Sequence, residues 1–215
     1  MVGRMRTWFK VIGWILGVVG AVLLVLYLGF FDVWTVPADD PLLSASIEPT
    51  LSAGDVVVLT RRTDVSRGNL VRCADPQAPG RSIIARAIAR FGDKLDVAGE
   101  VVAIDSKRTP SPRACDPPTM IIHDPRSDAD QELACSMEEY GDVSFGALRS
   151  TDHPEPATRA TIEPDRWFLL SDDRHVHLDS RDVGQIDPRS CEHIVFRIAS
   201  AAGFGDGSKR LSIIW

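Results

Sequence analysis

The sequence lacks a surplus of positive charge beyond its N-terminus, and it contains no internal repeat and no low-complexity block. Three of its 24 Lys and Arg residues lie in the first ten positions, which leaves 21 of them against all 30 Asp and Glu residues in the rest of the chain. The net charge of that part is about −9, so nucleic acid is excluded as a partner. The 44% content of hydrophobic residues is instead typical of a globular protein with one core of ordinary size.

Charge is absent from residues 11–31, an apolar run of 21 positions. At about 1.5 Å per residue, a helix of that length matches the roughly 30 Å hydrocarbon core of a bilayer. A cleaved signal peptide is the alternative, but such peptides have apolar cores of about 7–15 residues. No clear A-x-A cleavage site follows the run. The sequence therefore predicts a transmembrane helix over residues 11–31.

The charges that flank this run predict its orientation. Arg4, Arg6 and Lys10 precede it, and acidic residues follow it from Asp32 onward. Because positively charged flanks stay in the cytoplasm, residues 1–10 are predicted to be cytoplasmic. We therefore expect a single-pass protein of the cytoplasmic membrane that has the lipid bilayer as a partner. Its body would lie on the extracytoplasmic side, periplasmic or external.

Four cysteines, Cys73, Cys115, Cys135 and Cys191, would all face that oxidising side. Their wide spacing does not resemble a zinc knuckle, and three disulfide pairings are open to them. Cys115 with Cys135 is the favoured pair, because both lie in the loop-rich middle of the sequence. Buried free thiols are the alternative.

Short runs rich in Val and Ile, bounded by Gly, Pro or Asp, predict the strands of a mostly antiparallel, mostly β fold. These runs cover residues 55–60, 70–73, 82–89, 94–104, 167–171 and 192–198. The last apolar group, residues 211–215, is predicted to be either a terminal strand or a membrane-surface contact. Residues 105–163 are richer in Pro, Asp, Ser and Arg, which indicates an inserted, loop-rich β subdomain.

Residues 44–51 read SASIEPTL and are followed by Gly54, Asp55 and a predicted strand. The spacing of two serines separated by one alanine is compatible with one hydroxyl as a nucleophile and the other beside it as an oxyanion donor, with Pro49 stiffening the turn. An S-x-S before a proline is also common in plain turns and helix caps, so this stretch alone does not decide between the two.

Two later stretches give these serines a context. Residues 83–93 read IIARAIARFGD, and residues 171–184 read SDDRHVHLDSRDVG. With SASIEPTL they resemble the ordered blocks of the type I signal peptidases, the bacterial leader peptidase-like family. Those blocks are a membrane span, S-x-S-M-x-P-T-L, a G-D and strand, K-R-V-x-G-x-P-G-D, and G-D-N-R-x-x-S-x-D-S-R-x-x-G. The resemblance covers roughly residues 1–100 and 165–198. It implies an antiparallel β-sheet catalytic domain of that type over residues 32–104 and 164–215, with residues 105–163 as the insert.

The resemblance implies a role for each matching residue. Ser46 becomes the nucleophile, and the Ser44 hydroxyl with the Ser46 main-chain N–H becomes the oxyanion hole. Ile47 takes the place of the family's Met. The remaining matches are expected to support the site structurally: Arg86, Asp172, Arg174, Asp179, Ser180 and Arg181.

The sequence departs from the family at the general base. Bacterial members have Lys before the Arg of the second block, and the endoplasmic-reticulum type has His, but this chain has Ala85. A methyl group accepts no proton, and losing a general base costs about 10²–10⁴ in rate. In the last block, His177 replaces the Ser that lies near the family's lysine. We therefore hypothesise a relocated base at His177, oriented by Asp179 or by a main-chain carbonyl. The alternative is that His177 is a loop residue in an inactive chain.

These features predict a membrane-bound serine endopeptidase that removes signal peptides from exported preproteins, cutting after small residues. An apolar groove formed by Ile47 and residues 56–59 would bind the extended substrate by strand addition. The alternative is a catalytically impaired homologue that acts as a binding or assembly accessory protein. A third interpretation is a peptidase dedicated to one partner, such as a pilin. A monomer is expected. No cofactor or metal is expected, because an H-x-H pair such as His175 and His177 in a loop is by itself weak support for a metal site.

Overall fold

The computed structural model describes residues 2–61, 65–98, 101–108, 113–150, 152, 156–203, 205, 207 and 209–214, apart from the side chains of residues 2–10, 26 and 28. The chain divides into two compact units, Met1–Asp32 and Val33–Trp215. Residues 99–100 of the predicted strand 94–104 and Trp215 of the last apolar group lie outside the described residues.

The first unit contains one described helix, α1, which spans Val2–Phe30, and the first two residues of a strand that begins at Phe31. The helix contains nearly all of the uncharged run, so the predicted helix is present. Within the described part of the chain, however, no helix combines the length and the apolar character needed to cross a membrane. The predicted membrane crossing of residues 11–31 therefore has no support from the structure.

The rest of the chain is mostly β, as predicted. In chain order, its described strands are β1 Phe31–Thr35, β2 Val56–Thr60, β3 Leu70–Ala74, β4 Ser82–Arg90, β5 Lys94–Ala98, β6 Val101–Ile104, β7 Lys107–Arg108, β8 Arg113–Asp124, β9 Ala129–Tyr140, β10 Val143–Arg149, β11 Thr158–Thr161, β12 Trp167–Leu170, β13 Cys191–Ala199 and β14 Ser212–Ile213. The short helices are α2 Pro41–Ser46, α3 Ser180–Val183 and a 3-10 turn at Pro188–Ser190.

The largest sheet has the strand order β1-β2-β13-β3-β4-β12, with β14 paired to β13. β4 (SIIARAIAR) is buried over most of its length. Strands covered on both faces carry continuous apolar runs rather than an alternating pattern, which explains the sequence of β4. The predicted strands at 55–60, 70–73, 82–89, 167–171 and 192–198 are confirmed to within about two residues at each end. The group at 211–215 contributes a terminal strand, β14.

Two strand predictions need correction. Residues 94–98 and 101–104 form two paired antiparallel strands, β5 and β6, instead of one strand. The insert at 105–163 is not loop-rich, because it contains the long strands β8 and β9 with β10 in a separate sheet of order β10-β9-β8. Its strands β7 and β11 also complete the sheet β11-β5-β6-β7. The polar composition of the insert reflects half-buried antiparallel strands, which carry polar residues on their solvent face.

Two disulfides link neighbouring strands. Cys115 pairs with Cys135 across β8 and β9, so the favoured pairing is confirmed. Cys73 pairs with Cys191 across β3 and β13. The alternative of buried free thiols is therefore wrong.

Helix α2 lies between the large sheet and the sheet of the insert. It contacts β4 on one side and β8 on the other. Leu43 belongs to the core of the large sheet, whereas Ala45 packs on a smaller cluster that includes Leu133 and Leu148 of the insert. The last residue of this helix, Ser46, is thus held by both sheets.

Candidate functional site

Ser46 ends helix α2. Asp40 caps the start of this helix by accepting a hydrogen bond from the Leu43 N–H at 3.0 Å, and Pro41 occupies the first turn, where its missing N–H is not needed. The Ser46 side chain is fully buried, and its Oγ donates a 2.8 Å hydrogen bond to the Leu43 carbonyl. In this structure the hydroxyl is therefore turned toward its own helix.

The loop that follows β12 is bonded to the main chain of Ser46. The Asp173 N–H donates to the Ser46 carbonyl at 3.0 Å. On the other side of this loop, two main-chain hydrogen bonds of 2.8 Å join it to β10. The Leu148 N–H donates to the Asp172 carbonyl, and the Arg174 N–H donates to the Leu148 carbonyl. The loop is thus held between the end of α2 and strand β10 of the insert.

Ser44 lies one residue before Ala45 on the same helix. Its Oγ donates to the carbonyl oxygens of Pro37 and Asp40, at 3.0 Å and 3.1 Å. It also lines an open groove of about 430 Å³ together with Glu48 and Ile121. The hydroxyl predicted for the oxyanion hole is therefore at the groove, but it is engaged by main-chain carbonyls.

The predicted substrate groove over Ile47 and residues 56–59 is wrong. Ile47 is fully buried in the core of the large sheet. Strand β2 lies between β1 and β13, so it has no open edge for a substrate strand.

Arg86 directly follows Ala85, the position of the family's base, and its side chain binds three segments of the site. Its guanidinium donates to Asp172 at 3.1 Å, to the Thr50 hydroxyl at 3.1 Å and to the Gly68 carbonyl at 2.9 Å. The Thr50 hydroxyl in turn donates to Asp172. Ala85 itself is fully buried on β4, opposite Val71.

Asp179, Ser180 and Arg181 anchor the other end of the loop. Burial alone would raise the pKa of Asp179, but the ion pair with Arg181 at 2.7 Å outweighs burial and lowers this pKa to about 2. Asp179 also accepts from the Ser171 N–H, and the Ser180 hydroxyl accepts from the Leu169 N–H, both at 2.8 Å.

Arg174 binds an acid from the insert that sequence reasoning missed. Its guanidinium lies 2.8 Å from Glu138, which also pairs with Arg149 and accepts from the Tyr140 hydroxyl at 2.9 Å. Burial raises the pKa of Glu138, but the two arginines outweigh it, so the net shift is downward. Nothing in the sequence around Glu138 forms a motif, so no pattern could have found it.

His177 is oriented by Asp182 and not by the hypothesised Asp179. Its Nδ1 lies 2.8 Å from Asp182 Oδ2, and the ring is mostly buried. The same Asp182 oxygen accepts the Asp179 N–H at 3.0 Å, which completes a capping box at the start of α3. Asp179 is not available to the ring because Arg181 and two main-chain N–H groups occupy its oxygens.

Asp173 is a second acid that sequence reasoning missed. Its Oδ1 accepts from the N–H groups of His175 and Val176, each at 2.8 Å. Its Oδ2 is buried and has no hydrogen-bond partner among the described residues. Burial outweighs these bonds and raises the pKa of Asp173 to about 7.

Among the residues that the structure describes, one cluster has the composition of a metal site. Ligand atoms of His177, Asp179 and Asp182 lie within 4.8 Å of one another. The helix cap and the Arg181 ion pair already account for these contacts. The cluster is therefore explained by the structure of the loop.

Comparison with known protein families finds a match. The family model described as signal peptidase, peptidase S26, matches residues 8–196. Comparison with curated proteins finds no matching relative. The family match includes α2, β4 and the loop from Ser171 to Gly184, and on this match the chain belongs to the signal peptidase family, peptidase S26.

Proposed function

We propose that this chain is a serine endopeptidase that removes signal peptides from exported preproteins, with Ser46 as its nucleophile and His177 as its base. The observation that carries the proposal is the main-chain bond between Ser46 and the loop that holds His177 and Asp182. A serine, a histidine and a carboxylate on adjoining segments are the parts of a nucleophile, a base and an orienting acid.

In the proposed mechanism, Ser46 Oγ leaves the Leu43 carbonyl and attacks the carbonyl carbon of the scissile bond. His177 Nε2 takes the Oγ proton while Nδ1–H donates to Asp182. When the C–N bond of the substrate breaks, the proton on Nε2 passes to the leaving amine, and the acyl group stays on Ser46. In the second half of the reaction, His177 takes a proton from water, which attacks the acyl-enzyme. The proton then returns to Ser46 Oγ as the acyl group leaves. The Ser46 side chain must rotate before this attack, because its hydroxyl donates to the Leu43 carbonyl in the resting structure.

The developing oxyanion would be held by the Ser46 N–H and by the Ser44 hydroxyl after the latter leaves its carbonyl partners. The groove next to Ser44 is a suitable channel for an extended peptide. Strand β8 borders this groove through Ile121. Because β8 is an edge strand of its sheet, its main chain can pair with an extended peptide by strand addition.

The proposed location is the extracytoplasmic side of the cytoplasmic membrane, with the chain as a monomer. It is supported by the uncharged run at residues 11–31 and by the positive residues before it. A tether would confine enzyme and preprotein to the same surface and raise their effective concentration.

An accessory protein that binds exported proteins without cutting them is the second candidate. It is favoured by Ala85 in the base position and by the full burial of Ser46. A peptidase dedicated to one partner, such as a pilin, would use the first mechanism on a narrower set of substrates.

The test uses the purified full chain in detergent with a signal-peptide-bearing preprotein. Wild type and the surface control Ser190→Ala are expected to cut, whereas Ser46→Ala and His177→Ala are not. Cleavage by His177→Ala but not by Ser46→Ala would exclude the relocated base. Binding without cleavage by wild type, with cleavage restored in Ala85→Lys, would identify the accessory protein.

A further inference from the structure

A turn of the insert reaches the loop that carries His177. Residues 125–128 join β8 to β9, and Asp124, the last residue of β8, is buried. The Asp124 carboxylate accepts the Arg126 N–H at 2.8 Å and the Ser127 hydroxyl at 2.9 Å. An aspartate that binds the N–H two residues further on closes a tight turn with its own side chain. The backbone of Arg126 is therefore fixed by the turn.

The Arg126 side chain contacts two groups of the His177 loop. Its guanidinium donates to the main-chain carbonyl of His177 and lies 3.8 Å from Asp182 Oδ1. The other oxygen of the same carboxylate, Asp182 Oδ2, lies 2.8 Å from His177 Nδ1. Arg126, His177 and Asp182 thus form a closed cycle of contacts, in which the guanidinium faces both the backbone of His177 and the acid that orients its ring.

The exposure of Arg126 indicates what these contacts contribute. A guanidinium has several donors in a planar fork, so one side chain can face a carbonyl and a carboxylate together. The Arg126 side chain is 43% exposed and that of Asp182 is 30% exposed, so water screens their attraction and the pair adds little to stability. Arg126 also lies outside the sequence blocks shared with the family. Its direct consequence is therefore local, on the geometry of His177.

We propose that Arg126 is a positioning residue that holds the pair of His177 and Asp182 in the geometry for proton transfer. The inference rests on the proposed peptidase function. Nε2 takes the Ser46 proton only when the imidazole points toward the hydroxyl, and the ring turns about bonds that start at the His177 backbone. Asp182 restrains the ring at Nδ1, whereas Arg126 restrains the backbone end and the carboxylate. Without the guanidinium, the ring has more orientations and fewer of them are productive.

The first test separates kcat from KM in Arg126→Met, which keeps an unbranched stem and removes the donors and the charge. On a signal-peptide-bearing preprotein, the full chain in detergent is expected to lose about 5–30-fold in kcat, with KM within about twofold of wild type. A melting curve checks that the variant is folded. An unchanged kcat, or a change confined to KM, overturns the proposal.

The matched control is Arg159→Met. Arg159 also belongs to the insert and pairs with a half-exposed acid, Asp96, at 3.2 Å. This pair lies on the sheet β11-β5-β6-β7, and neither residue contacts the His177 loop through a described hydrogen bond or ion pair. Its kcat is expected to match wild type.

A double-mutant cycle shows whether Arg126 acts through the pair. In Asp182→Asn the ring has lost its orienting carboxylate, so adding Arg126→Met is expected to lower kcat by less than about threefold further. A double variant that shows the full, additive loss overturns the proposal, because Arg126 would then act on another part of the site.

Imidazole ¹⁵N NMR of the full chain needs no activity. The ring signals of His177, identified by their loss in His177→Gln, report which nitrogen carries the hydrogen in the neutral ring. Wild type and Arg159→Met are expected to carry it on Nδ1, and Arg126→Met is expected to show a mixture of both tautomers. The same tautomer in wild type and Arg126→Met overturns the inference, whereas failure of the proposed function shows separately as absence of cleavage by wild type.

Discussion

His177 Nδ1 lies 2.8 Å from Asp182 Oδ2, and this same oxygen caps helix α3 by accepting the Asp179 N–H. One carboxylate therefore fixes both the ring and the helix that carries it. This arrangement leaves Nε2 as the nitrogen to face a proton donor, provided that Nδ1 carries the hydrogen.

Replacing Asp182 by asparagine is expected to lower kcat about 10–100-fold. An amide can present its NH₂ to Nδ1 and so favour the wrong tautomer, as in serine proteases. The side chain of Asp182 is 30% exposed, so water moderates the loss. The measurement is kcat on a preprotein, beside a melting curve that checks the cap. An unchanged kcat would contradict the orienting role.

The stability of Asp173→Asn should depend on pH with a definite sign. The pKa of Asp173 is about 7 in the folded chain and about 3.9 for an unfolded aspartate, so the unfolded state loses its proton first. Wild-type stability contributed by this group thus falls as pH rises from about 4 to 7. Relative to wild type, Asp173→Asn is expected to gain roughly 2–4 kcal/mol in unfolding free energy between pH 4 and pH 8. Urea titrations at both pH values measure this gain, and a difference that is constant with pH would refute it.

Glu138→Gln is expected to destabilise the protein by about 3–5 kcal/mol, because it leaves two buried arginines without their acid. The exposed neighbour in Glu139→Gln is the matched control and should stay within about 0.5 kcal/mol of wild type. Denaturant unfolding measures both variants. Equal stability of the two would show that Glu138 does not anchor Arg174 and Arg149.

Gly146→Ala is expected to cost about 1–3 kcal/mol and to reduce cleavage. A Cβ at Gly146 would lie 3.2 Å from Pro49 and from both sulfurs of the Cys115–Cys135 disulfide, so the segment after Ser46 must shift. In Gly17→Ala the new methyl group meets nothing within 4 Å, which makes it the control. Thermal unfolding and preprotein cleavage are the readouts.

The sequence predicted the fold class and most strands of the large sheet, because its buried strands are apolar runs with clear ends. β4 is the best case, since both of its faces are covered. The insert was misjudged for the opposite reason. Its strands β8 and β9 have a solvent face, so their polar residues gave the composition of loops.

The site was predictable only where it follows the family pattern. Ser46 and the ion pairs Arg86–Asp172 and Asp179–Arg181 involve only motif residues, whereas Asp182 and Glu138 were missed. Asp182 orients His177 from three residues beyond Asp179. Glu138 reaches Arg174 from 36 positions away along the chain. Contacts between segments so far apart in sequence depend on the packing of two sheets, which no local pattern contains.

The Cys73–Cys191 disulfide joins two strands of the large sheet across 118 positions of sequence. Everything between these cysteines, including the insert, forms a covalently closed loop. A protease that nicks the insert would therefore release no fragment unless a reductant opens that bond. A clipped molecule would migrate as one species without reductant and as two with it, so gels run both ways are needed to count intact chains.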